Sequence, residues 1–370
     1  MNQMLKIAYR LYLSQRPVYL IQYVTSRCNL LCKHCFYLQQ ILSKDKDELT
    51  LNEFEKIAAN FPGLIQLSIG GGEPLLRDDL AEIIYIFRKI SDVQYFTLPT
   101  NATLPQKTED FLHDILPRIQ PAHLRMSMSL DGIGEEHDRI RGKSGTFQKF
   151  LSTWAKVSPL RRKYRNFSLD IVATVSTLNQ NHISALFDYC LKNFDPDNLG
   201  LLYVRGDVDN AIKQGFLELY GELANRLEKI NAGIRENRSH SSLLRAVSSG
   251  VHRIVKRTVV ENQWQLPCEA GRKLLVISEK GDVYPCEILK DCYGNLREHD
   301  YDLASIISQP EVSRKIALIK QSRCYCTFEC AHSLNSLYHR KADILLHAAK
   351  YFLHSKCLCR MDRKESLTGH

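Results

Sequence analysis

No aspartate or glutamate occurs in the first 44 residues of this chain, although Lys6, Arg10, Arg16, Arg27, Lys33 and Lys44 do. Long hydrophobic runs are missing too. Nothing approaches the roughly 18 consecutive apolar residues that a membrane-spanning helix needs. The N-terminal stretch MNQMLKIAYRLYLSQRP shows no small-residue cleavage site after an apolar region, which argues against secretion and for a cytoplasmic setting. Glycine-rich loops of dinucleotide-binding or P-loop spacing are absent as well, which removes the commonest nucleotide folds. With no export signal, the 12 cysteines are expected as reduced thiols serving metal or chemistry, not as a disulfide framework.

What is present is otherwise ordinary. At 370 residues, 44% hydrophobic and 25% charged, the chain suits one large globular domain with an appendage, or two modest domains. The net charge of +9 is unevenly spread. Besides the basic N-terminus, the tail from Ser336 carries Arg340, Lys341, Lys350, Lys356, Arg360, Arg363 and Lys364 against Asp343, Asp362 and Glu365. Such ends suit an anionic partner such as nucleic acid, an acidic peptide or a membrane surface; the plainer reading is a solvated basic face.

Residues 2–13 have the pattern of a short helix, stopped by Pro17. VYLIQYV (18–24), LIQLSI (64–69), VQYFTLPT (93–100), LRMSMSLDG (124–132), SLDIVATVST (168–177) and LGLLYVRG (199–206) then read as strands, with helical patterns between them. Among these, LTLNEFEKIAANF has Thr50 as its N-cap. Six strand–loop–helix units predict an α/β protein with parallel strands, too few for an eight-stranded barrel but suited to an open, partial (β/α)6 TIM-like barrel. A doubly wound sheet is the alternative. Either way, the cysteine loop after the first strand, GGGEP, TLPTNAT, SLDG and VRGD all follow strands and should share one mouth. The division expected is a helix at 1–17, the barrel at 18–206, a charged helical bridge at 207–263 with an exposed turn near IRENRSHSS, a cysteine-rich unit at 264–335 and a basic helical tail at 336–370.

The sharpest local signal is TSRCNLLCKHCFY (25–37), with Cys28, Cys32 and Cys35 spaced C-x3-C-x2-C and His34 before the last. Three thiolates are one short of a closed tetrahedral metal site, but they hold a 4Fe–4S cluster with one iron open to a small molecule. With GGGEP (70–74) after the second strand, this arrangement closely resembles the radical S-adenosylmethionine (radical SAM) superfamily over residues 18–206. The resemblance implies that the open iron chelates the amine and carboxylate of the methionine moiety, and that one electron cleaves the sulfonium to give a 5′-deoxyadenosyl radical. It further implies cofactor contacts from His34, from Gly71, Gly72 and Glu73, from Thr100 and Asn101 in TLPTNAT, and from Ser129 and Arg141 in SLDGIGEEHDRIRGKSGTF. Phe36 and Tyr37 are expected near the adenine. Glycines at 71 and 72 meet a need for close backbone approach.

From Pro267 the texture changes. Cys268-x12-Gly281-x4-Cys286 resembles the start of the SPASM or shorter twitch extension of that superfamily, and RCYCTFEC adds Cys324, Cys326 and Cys330. Part of the full SPASM pattern is missing, so one auxiliary 4Fe–4S cluster is expected. Its ligands would be Cys268, Cys286 and two of Cys324, Cys326 and Cys330, with Cys326 and Cys330 fitting the C-x3-C ending best. Cys292, Cys357 and Cys359 remain over, and Cys190 reads as a buried small hydrophobe. A structural zinc site is the alternative, since cysteine spacing alone does not separate zinc from iron–sulfur.

The function implied is a radical enzyme that takes hydrogen from a peptide or small molecule, fed by a flavodoxin- or ferredoxin-type donor, with the auxiliary cluster accepting or relaying an electron. One alternative places the enzyme at an anionic membrane surface, where the basic apolar N-terminus and ILLHAAKYFLHSK serve a lipid-linked substrate. A non-enzyme alternative is a metal protein that binds nucleic acid through its basic ends. Tyr203, Arg205 and His137 are candidates for proton handling.

Overall fold

The computed structural model describes residues 3–43, 47–213, 217–233 and 241–340, together with 343 and 346. Cys357 and Cys359, the segment ILLHAAKYFLHSK apart from Leu346, and positions 234–240 of the expected turn lie outside these residues.

Each short apolar run forms its strand: β1 Tyr19–Thr25, β2 Gln66–Gly71, β3 Tyr95–Thr100, β4 His123–Ser129, β5 Phe167–Val175 and β6 Asn198–Tyr203. All five neighbouring pairs among them are parallel, as crossover helices require. This is the α/β partial barrel read from the sequence. Three further strands, β7 Leu274–Ile277, β8 Asp282–Tyr284 and β9 Gly294–Asn295, extend the same sheet in the order β6-β5-β4-β3-β2-β1-β7-β8-β9. β7 runs parallel to β1, pairing Tyr19 with Leu274 and Gln22 with Ile277, and β8 and β9 return antiparallel. The cysteine-rich unit therefore continues the barrel sheet instead of standing beside it.

Alternation along the strands gives the sheet two different faces. Leu20, Val24, Leu67, Ile69, Phe96, Leu98, Met126, Met128 and Leu169 face the outer helices and form the main core. The Thr50–Glu53 capping box, with the Thr50 amide donating to Glu53 at 2.7 Å, starts the helix Leu51–Ala59 in that layer. The concave face is mostly polar. There Gln66 donates to Thr97 at 3.3 Å, the hydroxyls of Tyr19 and Ser68 meet at 2.8 Å, and Arg125 pairs with Asp170. On β1 that face carries Tyr19, Ile21 and Tyr23, which pack against Leu274, Val276, Phe328, Ala331 and Leu334 of the C-terminal part. Among the described residues no helix is long and apolar enough to cross a membrane.

Candidate functional site

The loop after β1 carries Cys28, Cys32 and Cys35, all partly buried and close enough for each to be felt electrostatically by another. Two glycines seat this loop. The Gly72 amide donates to the Thr25 carbonyl at 2.8 Å and the Glu73 amide to Arg27 at 2.9 Å. A Cβ at Gly71, whose φ is +106°, would stand 2.2 Å from the Thr25 oxygen; one at Gly72 would stand 2.1 Å from that of Arg27. Only glycine permits such backbone contact. In this structure the close approach at GGGEP is therefore made by the cysteine loop itself.

Glu73 is buried, and its carboxylate accepts from the Thr100 hydroxyl at 2.9 Å, the Asn101 amide at 2.7 Å and the Leu75 amide at 3.3 Å. Burial nevertheless dominates and pushes its pKa above the usual carboxylate range. Asn101 donates to Asn29 of the cysteine loop at 2.8 Å, and Asn29 donates to Thr103 at 2.8 Å. Glu73, Thr100 and Asn101 thus form one hydrogen-bonded bracket under the loop. Ser129 ends β4, half-buried, at the same strand edge.

Behind the cysteines lies a charge cluster whose acid, Asp131, the sequence did not single out. Asp131 is fully buried, pairs with Arg141 at 2.7 Å and stands 3.6 Å from His34 Nε2. Its other oxygen accepts from the Thr174 amide at 2.8 Å, and its own amide donates to His137 Nδ1 at 3.2 Å. Burial drives the Asp131 carboxyl up, but the charge of Arg141 outweighs it and holds it below the usual range. Arg141 in turn donates to Cys32 Sγ at 3.7 Å. Burial lowers the pKa of both His34 and His137, the latter to about 4, so neither ring is charged near neutrality. The signal for Asp131 was present in SLDG: an acid closing an otherwise apolar strand.

Tyr37 leaves the loop in another direction. Its hydroxyl donates to Glu279 in the turn between β7 and β8, and its ring meets Tyr23 edge-on at 4.8 Å. Phe36 lies under the Arg205 guanidinium, 5.8 Å away, with Phe328 on another side at 5.0 Å. Arg205, just past β6, pairs with Glu287 at 3.1 Å and Glu329 at 2.5 Å, while Tyr23 donates to Glu287 at 2.9 Å. Glu287 and Glu329 were not foreseen, since they come from the distant cysteine-rich unit.

The second cysteine group divides in two. Cys268, Cys286, Cys324 and Cys326 lie within electrostatic reach of one another. Cys330, in the first turn of the helix Glu329–His339, faces Tyr19, Glu287 and Arg205 instead. Cys324 thus joins Cys268, Cys286 and Cys326 in one group of mutually interacting thiols. Cys292 is exposed and bonded to the Gly294 carbonyl at 3.6 Å, and Cys190 is buried, its thiol pushed up to about 12 by burial.

The radical SAM superfamily model matches residues 23–189 of the chain. The chain belongs to the radical SAM superfamily. A similar curated relative is the AdoMet-dependent heme synthase of Methanosarcina barkeri, 28% identical over 309 residues, 79% of this chain and 82% of that one. A GTP 3′,8-cyclase of Clostridium botulinum is 30% identical over 142 residues, 37% of this chain and 42% of its own. Among solved structures, anSMEcpe with bound AdoMet is similar with a TM-score of 0.58 at 18% identity, covering 92% of this chain and all of that one. Streptococcus suis SuiB bound to its precursor peptide SuiA gives 0.56 at 17% identity, covering 82% of this chain and 67% of its own. At such identities the likeness is one of fold.

This radical SAM enzyme uses a 4Fe–4S cluster and S-adenosylmethionine, and the loop's donor set fits them. Three thiols alone would leave one iron of such a cluster open, and Arg141, which donates to Cys32, would offer it positive charge. In the bare protein, burial pushes Cys28 and Cys35 up to about 11. Metal coordination reverses that order and takes the protons off. Among the described residues no three of His, Cys, Asp or Glu stand close enough to grip a single ion.

Proposed function

We propose that the enzyme takes hydrogen from a polar substrate, a peptide or a small molecule, held on the concave face between the cysteine loop and the second cysteine group. Cys28, Cys32 and Cys35 would hold a 4Fe–4S cluster, which when bound would supply the electron for reductive cleavage of S-adenosylmethionine. His34, Ser129 and Arg141 edge that site, and the Glu73–Thr100–Asn101 bracket holds its loop in place. Cys268, Cys286, Cys324 and Cys326 would hold the auxiliary cluster that accepts the substrate's second electron.

The observation that carries the substrate class is the charge of the concave face. Its cations, Arg125 and Arg205, are already matched by Asp170, Glu287 and Glu329. With these two cations matched, the face suits amide, hydroxyl or amine groups better than several carboxylates. Neighbours of this fold include a solved complex of SuiB with its precursor peptide. A tetrapyrrole substrate is the second reading, favoured by the long match to the heme synthase.

The test is anaerobic assay for 5′-deoxyadenosine under reductant, with candidate peptides and with a carboxylated porphyrin. Stimulation by peptides or small polar molecules, with deuterium passing from labelled substrate into 5′-deoxyadenosine, supports the proposal; stimulation by the porphyrin alone replaces it with the second reading. Changing Cys28, Cys32 and Cys35 to Ala should abolish 5′-deoxyadenosine. Product from that variant would remove the cluster assignment.

A further inference from the structure

The helix Gln3–Tyr12 is apolar on two opposite sides, and the fold uses one of them. Ile7 and Leu11 pack against the barrel base, Arg10 pairs with Asp92 at 2.7 Å, Tyr338 donates to the Leu11 carbonyl and Lys273 to that of Ser14. On the far side, Leu5, Tyr9 and Leu13 follow one another at four-residue spacing and are 61%, 56% and 70% exposed. A docked helix ordinarily turns polar residues outward, so an outward apolar stripe marks a contact surface.

Charge identifies the occupant. Lys6 and Arg16, both exposed, flank the stripe, and the first 44 residues hold no acid. The helix Glu329–His339 ends beside the same helix: the Tyr12 hydroxyl donates to the Leu337 carbonyl at 2.9 Å and its ring meets Tyr338 at 5.8 Å. Beyond that point the sequence carries ILLHAAKYFLHSK and then Arg360, Arg363 and Lys364. A second copy on the stripe would set Lys6 and Arg16 against like charges. We propose that the stripe seats the protein on an anionic phospholipid surface, with tyrosine and leucine in the headgroup layer and the basic side chains at the lipid phosphates.

The docking has a direction. Asp92 precedes β3, Gly63, which Arg10 packs against, precedes β2, and Lys273 precedes β7, so the helix lies across the N-terminal ends of the parallel strands. The cysteine loop lies at their C-terminal ends. The mouth therefore faces away from the lipid and receives its substrate from water, which argues against a lipid-linked substrate.

The experiment is co-sedimentation of the anaerobically purified full-length holoenzyme with vesicles of phosphatidylcholine, with or without phosphatidylglycerol. Binding should require phosphatidylglycerol and low salt, and should fall about tenfold or more in a Leu5→Ser, Tyr9→Ser, Leu13→Ser variant. That variant should retain 5′-deoxyadenosine formation, because none of the three touches the mouth. No sedimentation of the intact protein at low salt would overturn the proposal, as would equal binding by the variant. A dimer that the variant converts to monomer would assign the stripe to a second copy. Stronger binding after removal of residues 341–370 would assign it to the tail.

Discussion

Asp131 shows how much of a site can rest on one unannounced side chain. It is the counter-charge of a buried Arg141 and the neighbour of His34, and through Arg141 it reaches Cys32. Removing one member of a buried pair leaves the other charge unmatched, at a cost of about 3–5 kcal/mol. Asp131→Ala should therefore destabilise the protein by roughly that amount at neutral pH, read by urea denaturation. The sign of its pH dependence follows from its lowered pKa. A carboxylate depressed in the folded state contributes stability that is complete above its unfolded pKa of about 3.9 and is lost as pH falls through the folded value. The difference between wild type and Asp131→Ala should accordingly shrink below about pH 4. A gap that stays constant from neutrality down to that range would mean that packing, not the ion pair, sets the cost.

At the scale of elements, the barrel was legible because each of its strands is a short apolar run closed by turn or site chemistry. Loops after parallel strands must meet at one edge, so Cys28, Glu73, Asn101 and Asp131 come together by topology alone. Thr50 was legible too, because a capping box is local. Two features were hidden for a shared reason. LLVI at β7 looks like any short strand, and nothing near it states that its partner is β1. Likewise, C-x-C-x3-C does not reveal that a helix begins at Glu329 with Phe328 buried before it, setting Cys330 beside Tyr19, Glu287 and Arg205. This division has a measurable consequence. With Cys28, Cys32 and Cys35 changed to Ala, about four irons should remain, one auxiliary 4Fe–4S cluster. Adding Cys330→Ser should leave that iron in place, whereas adding Cys324→Ser or Cys326→Ser should remove or distort it, seen by iron analysis and electron paramagnetic resonance. Loss on Cys330→Ser with retention on Cys324→Ser would restore the pairing expected from spacing. One zinc and no iron would reject the auxiliary cluster.

At the scale of the whole molecule, the question is whether barrel and cysteine-rich unit are separable. The sheet argues that they are not. β1 lies between β2 and β7, and its Tyr19, Ile21 and Tyr23 are buried against residues of the C-terminal part. Burying three such side chains contributes about 5–9 kcal/mol. That is comparable to the roughly 5–15 kcal/mol that holds a typical domain folded, so a barrel deprived of β7 and the helix Glu329–His339 should not stand alone. It would also present β1 as a bare edge, open to pairing with other chains. The chain supplies its own reporters, since of its two tryptophans Trp154 lies on a barrel helix and Trp264 precedes Cys268. Single-tryptophan variants, Trp154→Phe and Trp264→Phe, should unfold in urea at the same midpoint under anaerobic conditions, as one cooperative unit does. A fragment of residues 1–263 should aggregate or remain unfolded. Separate midpoints for the two tryptophans, or a folded monomeric fragment, would instead show a barrel that folds by itself and merely carries the second unit.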